Sequence, residues 1–377
     1  MPSLHYFYPE NDCALAADNA GYTGSRGAVA LRRSGGILPL WTAESGDRYI
    51  DSGTPRIWVE SIRDIFRREV SAFDGNTVNL TPHPWGWSKP VRRIFHDLGF
   101  DPHVLPDDAS LERMRLLSHR RTAILLEEYL GRRYQMPHQS LCLDNPNQVL
   151  DAVKGFGRAM IKQPWSSSGR GVTDSATLSA DELMRRCVGT IRKQGSVIVQ
   201  PFIRHAVDYG MLFEYSNGEA HPIGLSVFDC DTRNTYTGSI VADDAALIDN
   251  LKQKGIEIPD GLPESVASGL STIIGNDYAG IIGVDLLGIP ESDIFGIAEI
   301  NLRHTMGYVA NRLSRNIVAD GLVGRFSIEV RKPAPSNGTD QPAEHIIRNC
   351  VLSGHRLAAG RLELSAPDSP VCFVLTV

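Results

Sequence analysis

Gly280-Ile-Ile-Gly-Val-Asp-Leu-Leu-Gly288 and, a few residues on, Phe295-Gly-Ile-Ala-Glu-Ile-Asn-Leu302 decide the reading of this chain. Both stretches are rich in aliphatic and β-branched residues and read as strands joined through 289–294. Strand alternation puts Glu299 and Asn301 on one face. The simplest hairpin register sets Asp285 opposite, or nearly opposite, Glu299. Directly opposed residues hold their Cβ atoms about 4.5–5.5 Å apart, and like charges there destabilise a sheet, so a cation belongs between them. A lysine would serve. The hard oxygens of Asp285, Glu299 and Asn301 also suit Mg²⁺, which takes one or two carboxylates and completes its shell with water and phosphate oxygens. Two such ions about 3.5–4 Å apart could share Glu299. Ile281, Leu287 and Ile297 occupy the acidic face, with Ile282, Val284, Leu286 and Ile300 on the other, which argues against a hairpin lying in solvent.

A second stretch lies over a hundred residues earlier, Met160-Ile-Lys-Gln-Pro-Trp-Ser-Ser-Ser-Gly-Arg-Gly-Val172. A lysine at a strand end followed by a Ser/Gly loop can grip polyphosphate. The ammonium supplies a point charge, while hydroxyls and unhindered backbone N–H groups supply donors. It is not a Walker A loop, because Lys162 precedes Gly169 and Gly171 instead of following them.

Together the two stretches resemble the ATP-grasp superfamily, typified by D-alanine:D-alanine ligase, biotin carboxylase and amino-acid ligases, over about 115–325. The resemblance implies a fold of class α/β plus α+β: an N-terminal α/β (pre-ATP-grasp) domain and an antiparallel-sheet nucleotide-binding pair. It implies that Lys162 with Ser166, Ser167, Ser168, Gly169 and Gly171 holds nucleotide phosphates, and that Asp285, Glu299 and Asn301 are the metal ligands. The adenine-binding hinge corresponds to Val197-Ile-Val-Gln-Pro-Phe-Ile203, where Gln200 stands for the usual glutamate and the backbone at Phe202 and Ile203 supplies hydrogen bonds. Asp208 lies where a ribose-binding acid is expected. The family's first phosphate-contacting lysine is missing, and its role passes to Arg120, with Arg121 as the rival. An arginine keeps the charge but not the lysine's geometry. Arg303 resembles the arginine of the Glu-x-Asn-x-Arg form of the motif, suited to a substrate carboxylate or acyl-phosphate oxygens through paired charge-assisted bonds. The arginine that D-alanine ligases carry two positions before the metal aspartate is replaced by Gly283. His304 and Thr305 are either substrate contacts or structural.

The implied activity is an ADP-forming ligase that uses ATP and two Mg²⁺ ions, with Mn²⁺ as a substitute, to convert a carboxylate into an acyl phosphate and join it to an amine. Lys162 and Arg303 are its expected catalytic residues. A kinase that stops at the phosphorylated substrate and a non-catalytic nucleotide-binding protein are the alternatives. The substrates are expected to be small-molecule or peptide acids and amines, and a homodimer is allowed.

The rest of the chain sets the context. At 377 residues it holds two to three domains' worth of sequence and needs no disulfide or metal staple. With 38 Lys+Arg against 44 Asp+Glu the net charge is −6, which supplies no general field for nucleic acid or an anionic membrane. No apolar run is long enough to span a bilayer, the first residues lack a secretory pattern, and six cysteines are scattered without a CxxC pair. A cytoplasmic setting is expected. The domains are drawn as 1–114 (N-terminal α/β), 115–196 (small subdomain with the phosphate loop), 197–330 (subdomain with the metal site), 331–343 (linker or long loop) and 344–377 (β-rich tail). Arg56–Val59 reads as a strand, Met114–Leu130 as one amphipathic helix, and Thr81-Pro-His-Pro-Trp-Gly-Trp87 as a loop. Tyr6-Phe-Tyr-Pro-Glu-Asn-Asp12 and the glycine-rich Gly21–Gly27 read as turns or as lining of a substrate cleft.

Overall fold

A computed structural model of the chain describes residues 1–51, 53–136, 139–167, 169, 171–204, 206–231, 235–331 and 346–377. Ser168 and, from 332 onward, the linker expected over 331–343 lie outside the described residues.

The N-terminal unit is a parallel sheet in the order β3-β2-β1-β4, built from β1 (Ser3–Tyr6), β2 (Arg48–Tyr49), β3 (Ser71–Ala72) and β4 (Thr81–Pro84). Helices α1 (Asn11–Ala17), α2 (Arg26–Gly35), α3 (Leu38–Thr42), α4 (Arg56–Phe66) and α5 (Lys89–Asp97) connect and flank it. Two local readings change here. Arg56–Val59 is the first turn of α4, because Trp58, Ile62 and Phe66 bury one helical stripe and Pro55 presets the entry at the N-cap. Thr81–Pro84 is a strand despite its prolines. It lies at the sheet edge, where a missing N–H costs no ladder bond, and Thr81 and Trp85 donate to the carbonyls of Pro2 and Tyr6 at 3.0 and 2.8 Å.

The stretch read as one helix is two, α6 (Asp108–Leu117) and α7 (Arg121–Leu130). The break follows from hydrogen bonding: the Arg120 N–H, which would continue the helix, is spent on Pro164 O at 3.1 Å in the loop that follows Lys162. Next comes a small antiparallel sheet in the order β5-β8-β6-β7, with β5 (Leu141–Leu143), β6 (Ala159–Lys162), β7 (Val172–Asp174) and β8 (Val197–Pro201). Helices α8 (Pro146–Phe156) and α9 (Ala180–Gln194) cover it, sealing Val149, Ile161, Leu183, Cys187, Val197 and Val199 between them. Ser179 and Glu182 form a capping box that fixes where α9 begins.

The remaining strands form one antiparallel sheet, ordered β13-β12-β9-β10-β11-β14-β17-β16-β15. They are β9 (Val207–Ser216), β10 (Glu219–Cys230), β11 (Tyr236–Val241), β12 (Gly280–Gly288), β13 (Phe295–Asn301), β14 (Gly324–Val330), β15 (Cys350–Ser353), β16 (Arg356–Glu363) and β17 (Val371–Thr376). The last three strands extend this sheet through β14. Helices α10 (Asp244–Gln253) and α11 (Leu262–Ile274), together with α7, pack on its β9, β10, β12 and β13 part. Helix α12 (Met306–Asn316) and the strands from β14 onward share a core with the N-terminal unit, in which Trp41, Trp58, Phe95, Leu313 and Phe373 are buried. Burying each such side chain contributes roughly 1.5–3 kcal/mol, which ties the first and last segments into one packed body. No helix among the described residues is long and apolar enough to cross a membrane.

Candidate active site

The hairpin of β12 and β13 has the register its alternation implies: Gly283 pairs with Asn301, Val284 with Ile300 and Asp285 with Glu299. After Asp285 the ladder slips, Leu286 pairing with Ile297, so Ala298 is the extra residue of a β-bulge. Bulges turn a backbone group out of its ladder. Here the carbonyl of Ala298 accepts from Lys162 Nζ at 2.8 Å, across the cleft from the small sheet. On the other flank Asp285 pairs with Gly210 on β9. A Cβ at Gly210 would sit 3.4 Å from Asp285 Oδ1, so the glycine leaves the carboxylate room.

Asn301 Nδ2 donates to Asp285 Oδ2 at 3.0 Å. Burial and the neighbouring Glu299 push the Asp285 carboxyl up to about 7, against the pull of Arg303 and the Asn301 bond. Glu299 accepts from Arg120 Nη2 at 2.9 Å. Arg120 also donates from Nη1 to Gln163 O at 2.6 Å and Ser166 Oγ at 2.7 Å, and from Nη2 to Ser166 O at 3.3 Å. The guanidinium thus clasps the loop after β6 and the acidic hairpin at once, while its rival Arg121 is exposed. Burial and the adjacent Arg120 lower the Lys162 ammonium to about 8, partly offset by Glu299, Glu127 and Asp208. Asp208 itself is raised by burial.

The loop after Lys162 is closed by its own backbone: Gln163 N–H donates to Gly171 O at 2.8 Å and Val172 N–H to Gly169 O at 2.9 Å. Gly169 has φ +71°, and a Cβ at Gly171 would run into the side chain of Ser166. Ser167 Oγ donates to Pro9 O at 3.4 Å, bringing the loop onto the N-terminal unit. In the expected hinge, Gln200 is buried, its Nε2 bonded to Ile297 O at 2.7 Å and its Oε1 without a partner. The Phe202 N–H is given to Arg158 O at 3.0 Å, and its ring lies under the Arg158 guanidinium at 3.5 Å. Ile203 follows in the loop after β8.

Arg303 reaches the N-terminal unit. Its Nε and Nη2 fork onto Asp12 at 2.7–3.1 Å, and Nη1 donates to His304 O at 3.0 Å. His304 is buried against His83, with Nε2 to Nε2 at 3.1 Å, so it belongs to a packed histidine stack. Thr305 caps α12 and lies over Gly283.

Glu127 escaped the sequence reading, while Asp12 lay in the stretch Tyr6–Asp12 read as turns or cleft lining without a role of its own. Glu127, buried on α7, accepts from Ser140 N and Oγ at 3.0 Å and feels Lys162. A carboxylate sitting between Ile124 and Leu130 on the apolar stripe of a helix was its available signal. Asp12 sits in the polar run Glu10-Asn11-Asp12 just after a strand, a position where open α/β sheets place ligand-facing groups.

Among the described residues no three His, Cys, Asp or Glu side chains converge into a metal cage. The donor set at the hairpin is two carboxylates and one carboxamide. It fits Mg²⁺: two opposed acids, one held near neutral by burial, lack a full counter-charge, and a half-turn of the Asn301 carboxamide presents Oδ1 in place of Nδ2.

No protein-family model and no curated protein matches the sequence. Among solved structures the chain is similar to the biotin carboxylase domain of 2-oxoglutarate carboxylase from Hydrogenobacter thermophilus, described as a dimer with MgADP, ADP and bicarbonate. The identity is 13%, over 100% of this chain and 86% of that one, with a TM-score of 0.50. It is also similar to biotin carboxylase from Campylobacter jejuni in a β,γ-ATP complex, at 11% identity over 100% of this chain and 87% of that one, TM-score 0.50. The chain has the ATP-grasp fold. The small sheet with its loop and the acidic hairpin face each other across one cleft, and Arg120 and Lys162 are side chains that bridge it.

Proposed function

We propose that the chain is an ADP-forming ligase that activates a carboxylate with ATP and joins it to an amine. The observation that carries this reading is the convergence of two cations, Lys162 from β6 and Arg120 from the start of α7, on the hairpin that bears Asp285, Glu299 and Asn301. Asp285, Glu299 and Asn301 would hold Mg²⁺, which when bound offsets phosphate charge and leaves the γ-phosphoryl open to in-line attack. Lys162 and Arg120 place positive charge where the departing ADP develops negative charge. Arg303 offers a planar fork to the acid substrate or its acyl-phosphate oxygens once Asp12 yields it. The loop 166–171, anchored through Ser166 and Ser167, shields the acyl phosphate from water. The carboxylate oxygen bonds to the γ-phosphorus as ADP leaves; the amine nitrogen then bonds to the acyl carbon as phosphate leaves.

The acids and amines of this reading are small molecules or peptides, its assembly is a homodimer, as in the Hydrogenobacter domain, and its setting is the cytoplasm, which suits six free cysteines. The test is incubation with Mg-ATP, hydroxylamine and a panel of amino, keto and hydroxy acids. An acid-dependent hydroxamate with matching ADP release is expected. A stable phosphate ester formed without hydroxamate would make the protein a kinase, and ATP binding without ADP release on any acid would make it a nucleotide-binding protein only.

A further inference from the structure

The N-terminal sheet runs β3-β2-β1-β4, so the chain leaves β1 toward one side and reaches β4 on the other. That reversal makes the carboxyl ends of β1 and β4 the crevice in which such sheets bind ligands. The residues there are Glu10 and Asn11, after β1, and Trp85 and Gly86, after β4. Glu10 and Asn11 are 3% and 1% exposed, and each has a buried oxygen with no hydrogen-bond partner among the described residues, Glu10 Oε2 and Asn11 Oδ1. Two such atoms side by side in sequence call for a physical reason, since an unmet buried acceptor costs about 1–3 kcal/mol. Glu10 Oε1 is already taken by Arg32 Nη1 at 2.5 Å, which fixes the carboxylate and leaves Oε2 as the free end.

The crevice is contiguous with the cleft. A Cβ at Gly86 would lie 2.7 Å from Asn11 Nδ2 and 2.8 Å from Arg303 Cβ, so the Asn11 carboxamide and Arg303 pack over the same glycine. The neighbouring Asp12 holds the Arg303 fork, and Ser167 of the phosphate loop reaches Pro9 O. Among the described residues Glu10 Oε2 and Asn11 Oδ1 are unmet acceptors and Trp85 Nε1 is an unmet donor, a mixed set that an amine, with N–H groups to donate and a lone pair to accept, can meet. We propose that Glu10 and Asn11 form the seat of the amine substrate, receiving its N–H groups beside the acid held by Arg303. This rests on the ligase reading above. It divides the substrates between the two sides of the Arg303 junction: the acid on the hairpin side, the amine on the β1–β4 side. The glycine-rich turn covers the seat, a Cβ at Gly24 lying 3.0 Å from Glu10 Oε1.

The experiment uses the full chain with Mg-ATP and an acid that gives hydroxamate. Methylamine, glycinamide and the common L-amino acids are titrated in as competitors of hydroxylamine trapping. In the wild type at least one of these amines is expected to divert the acyl group with saturable kinetics. In Glu10→Gln the half-saturating amine concentration, read against hydroxamate formed without amine, should rise about tenfold or more, the effect of losing one charge-assisted bond. Asn11→Asp, which keeps an acceptor oxygen at the same reach, should rescue amine use relative to Asn11→Ser. An unchanged half-saturating concentration in Glu10→Gln, or no saturable amine effect in the wild type, overturns the seat while leaving the ligase reading standing. Absence of hydroxamate with every acid overturns the ligase reading and the seat with it. If Glu10→Gln loses its cooperative melt, Asn11→Ser against Asn11→Asp decides the matter by the same readout.

Discussion

Replacing Arg120 probes the clasp between loop and hairpin directly. Its side chain is 4% exposed and makes four hydrogen bonds, to Gln163 O, Ser166 Oγ, Ser166 O and Glu299 Oε1. Arg120→Ala leaves two buried loop carbonyls without this donor and Glu299 without its ion partner. Breaking a buried pair by removing one side costs about 3–5 kcal/mol. The Glu299 side chain is 24% exposed, so solvent screens that leg, and the lower half of the range, about 3 kcal/mol, is the expected loss. At roughly 2–4 °C per kcal/mol for a chain of this class, the melting temperature should fall by about 6–12 °C. Arg120→Lys keeps the charge on a single nitrogen that cannot fork between loop and hairpin, and should recover about half of the loss. Calorimetry measures the stability, and amide exchange of the 163–172 segment measures the loop, whose Gln163 and Val172 N–H groups should exchange faster in both variants. A double-mutant cycle with Glu299→Gln should return a coupling of about 1–2 kcal/mol. A melt of Arg120→Ala within 1 °C of wild type, with the exchange of the loop unchanged, would show that the guanidinium does not tether it.

Glu299→Ala and Asp285→Asn should each lower acid-dependent ADP release by roughly a thousandfold or more while leaving the fold intact, and EDTA should abolish it in the wild type; ADP release near wild type in Glu299→Ala would remove the metal assignment. Gly171→Ala forces a Cβ against Ser166 and should raise the ATP concentration needed for half-maximal rate without lowering the melting temperature by more than about 2 °C, checked by ATP titration and a thermal melt. Burial lowers the His83 imidazole to about 3 and His304 well below its ordinary value, so the unfolded chain binds protons that the native stack refuses. The stability this gives is complete above about pH 6.5 and is lost as the pH falls below it; urea melts at pH 7.5 and 5 should show the decline, and His83→Gln should flatten it.

Much of this was legible because a β-strand has a period of two. Once Gly280–Gly288 and Phe295–Leu302 read as paired strands, the shared face of Glu299 and Asn301 followed from parity and the opposition of Asp285 to Glu299 from the simplest hairpin register, and the ladder agrees. The bulge at Ala298 was not legible. Inserting one residue into a ladder leaves no mark on composition, yet it turns the carbonyl that Lys162 grips. The clasp of Arg120 on Glu299 spans 179 residues, and no local pattern ranks one partner of a buried arginine over another. The break before α7 was hidden for the same reason, since the Arg120 N–H leaves the helix for a loop 44 residues away. Thr81–Pro84 misled because proline reads as a breaker unless the strand is known to lie at an edge, and sheet order is a property of the whole unit.

Those long-range contacts give the cleft a common physical logic. Three cationic side chains meet the end of one hairpin from three directions: Lys162 from β6 on the Ala298 carbonyl, Arg120 from the start of α7 on Glu299, and Arg303 from the hairpin's own exit, turned onto Asp12 of the N-terminal unit. Each is buried or nearly so and each takes an acceptor that a triphosphate or an acid substrate would displace. Desolvated cations left without acceptors would cost several kcal/mol each, and here the protein's own carbonyl and carboxylates satisfy them. Binding then exchanges one set of acceptors for another without re-exposing charge, and what it gains is set by the difference between the two sets. On the ligase reading proposed above, selectivity lies in the acceptors already present: a ligand must outmatch Asp12 to take Arg303, and a charged bidentate acid would do so where a neutral carbonyl, with one weaker acceptor, would not.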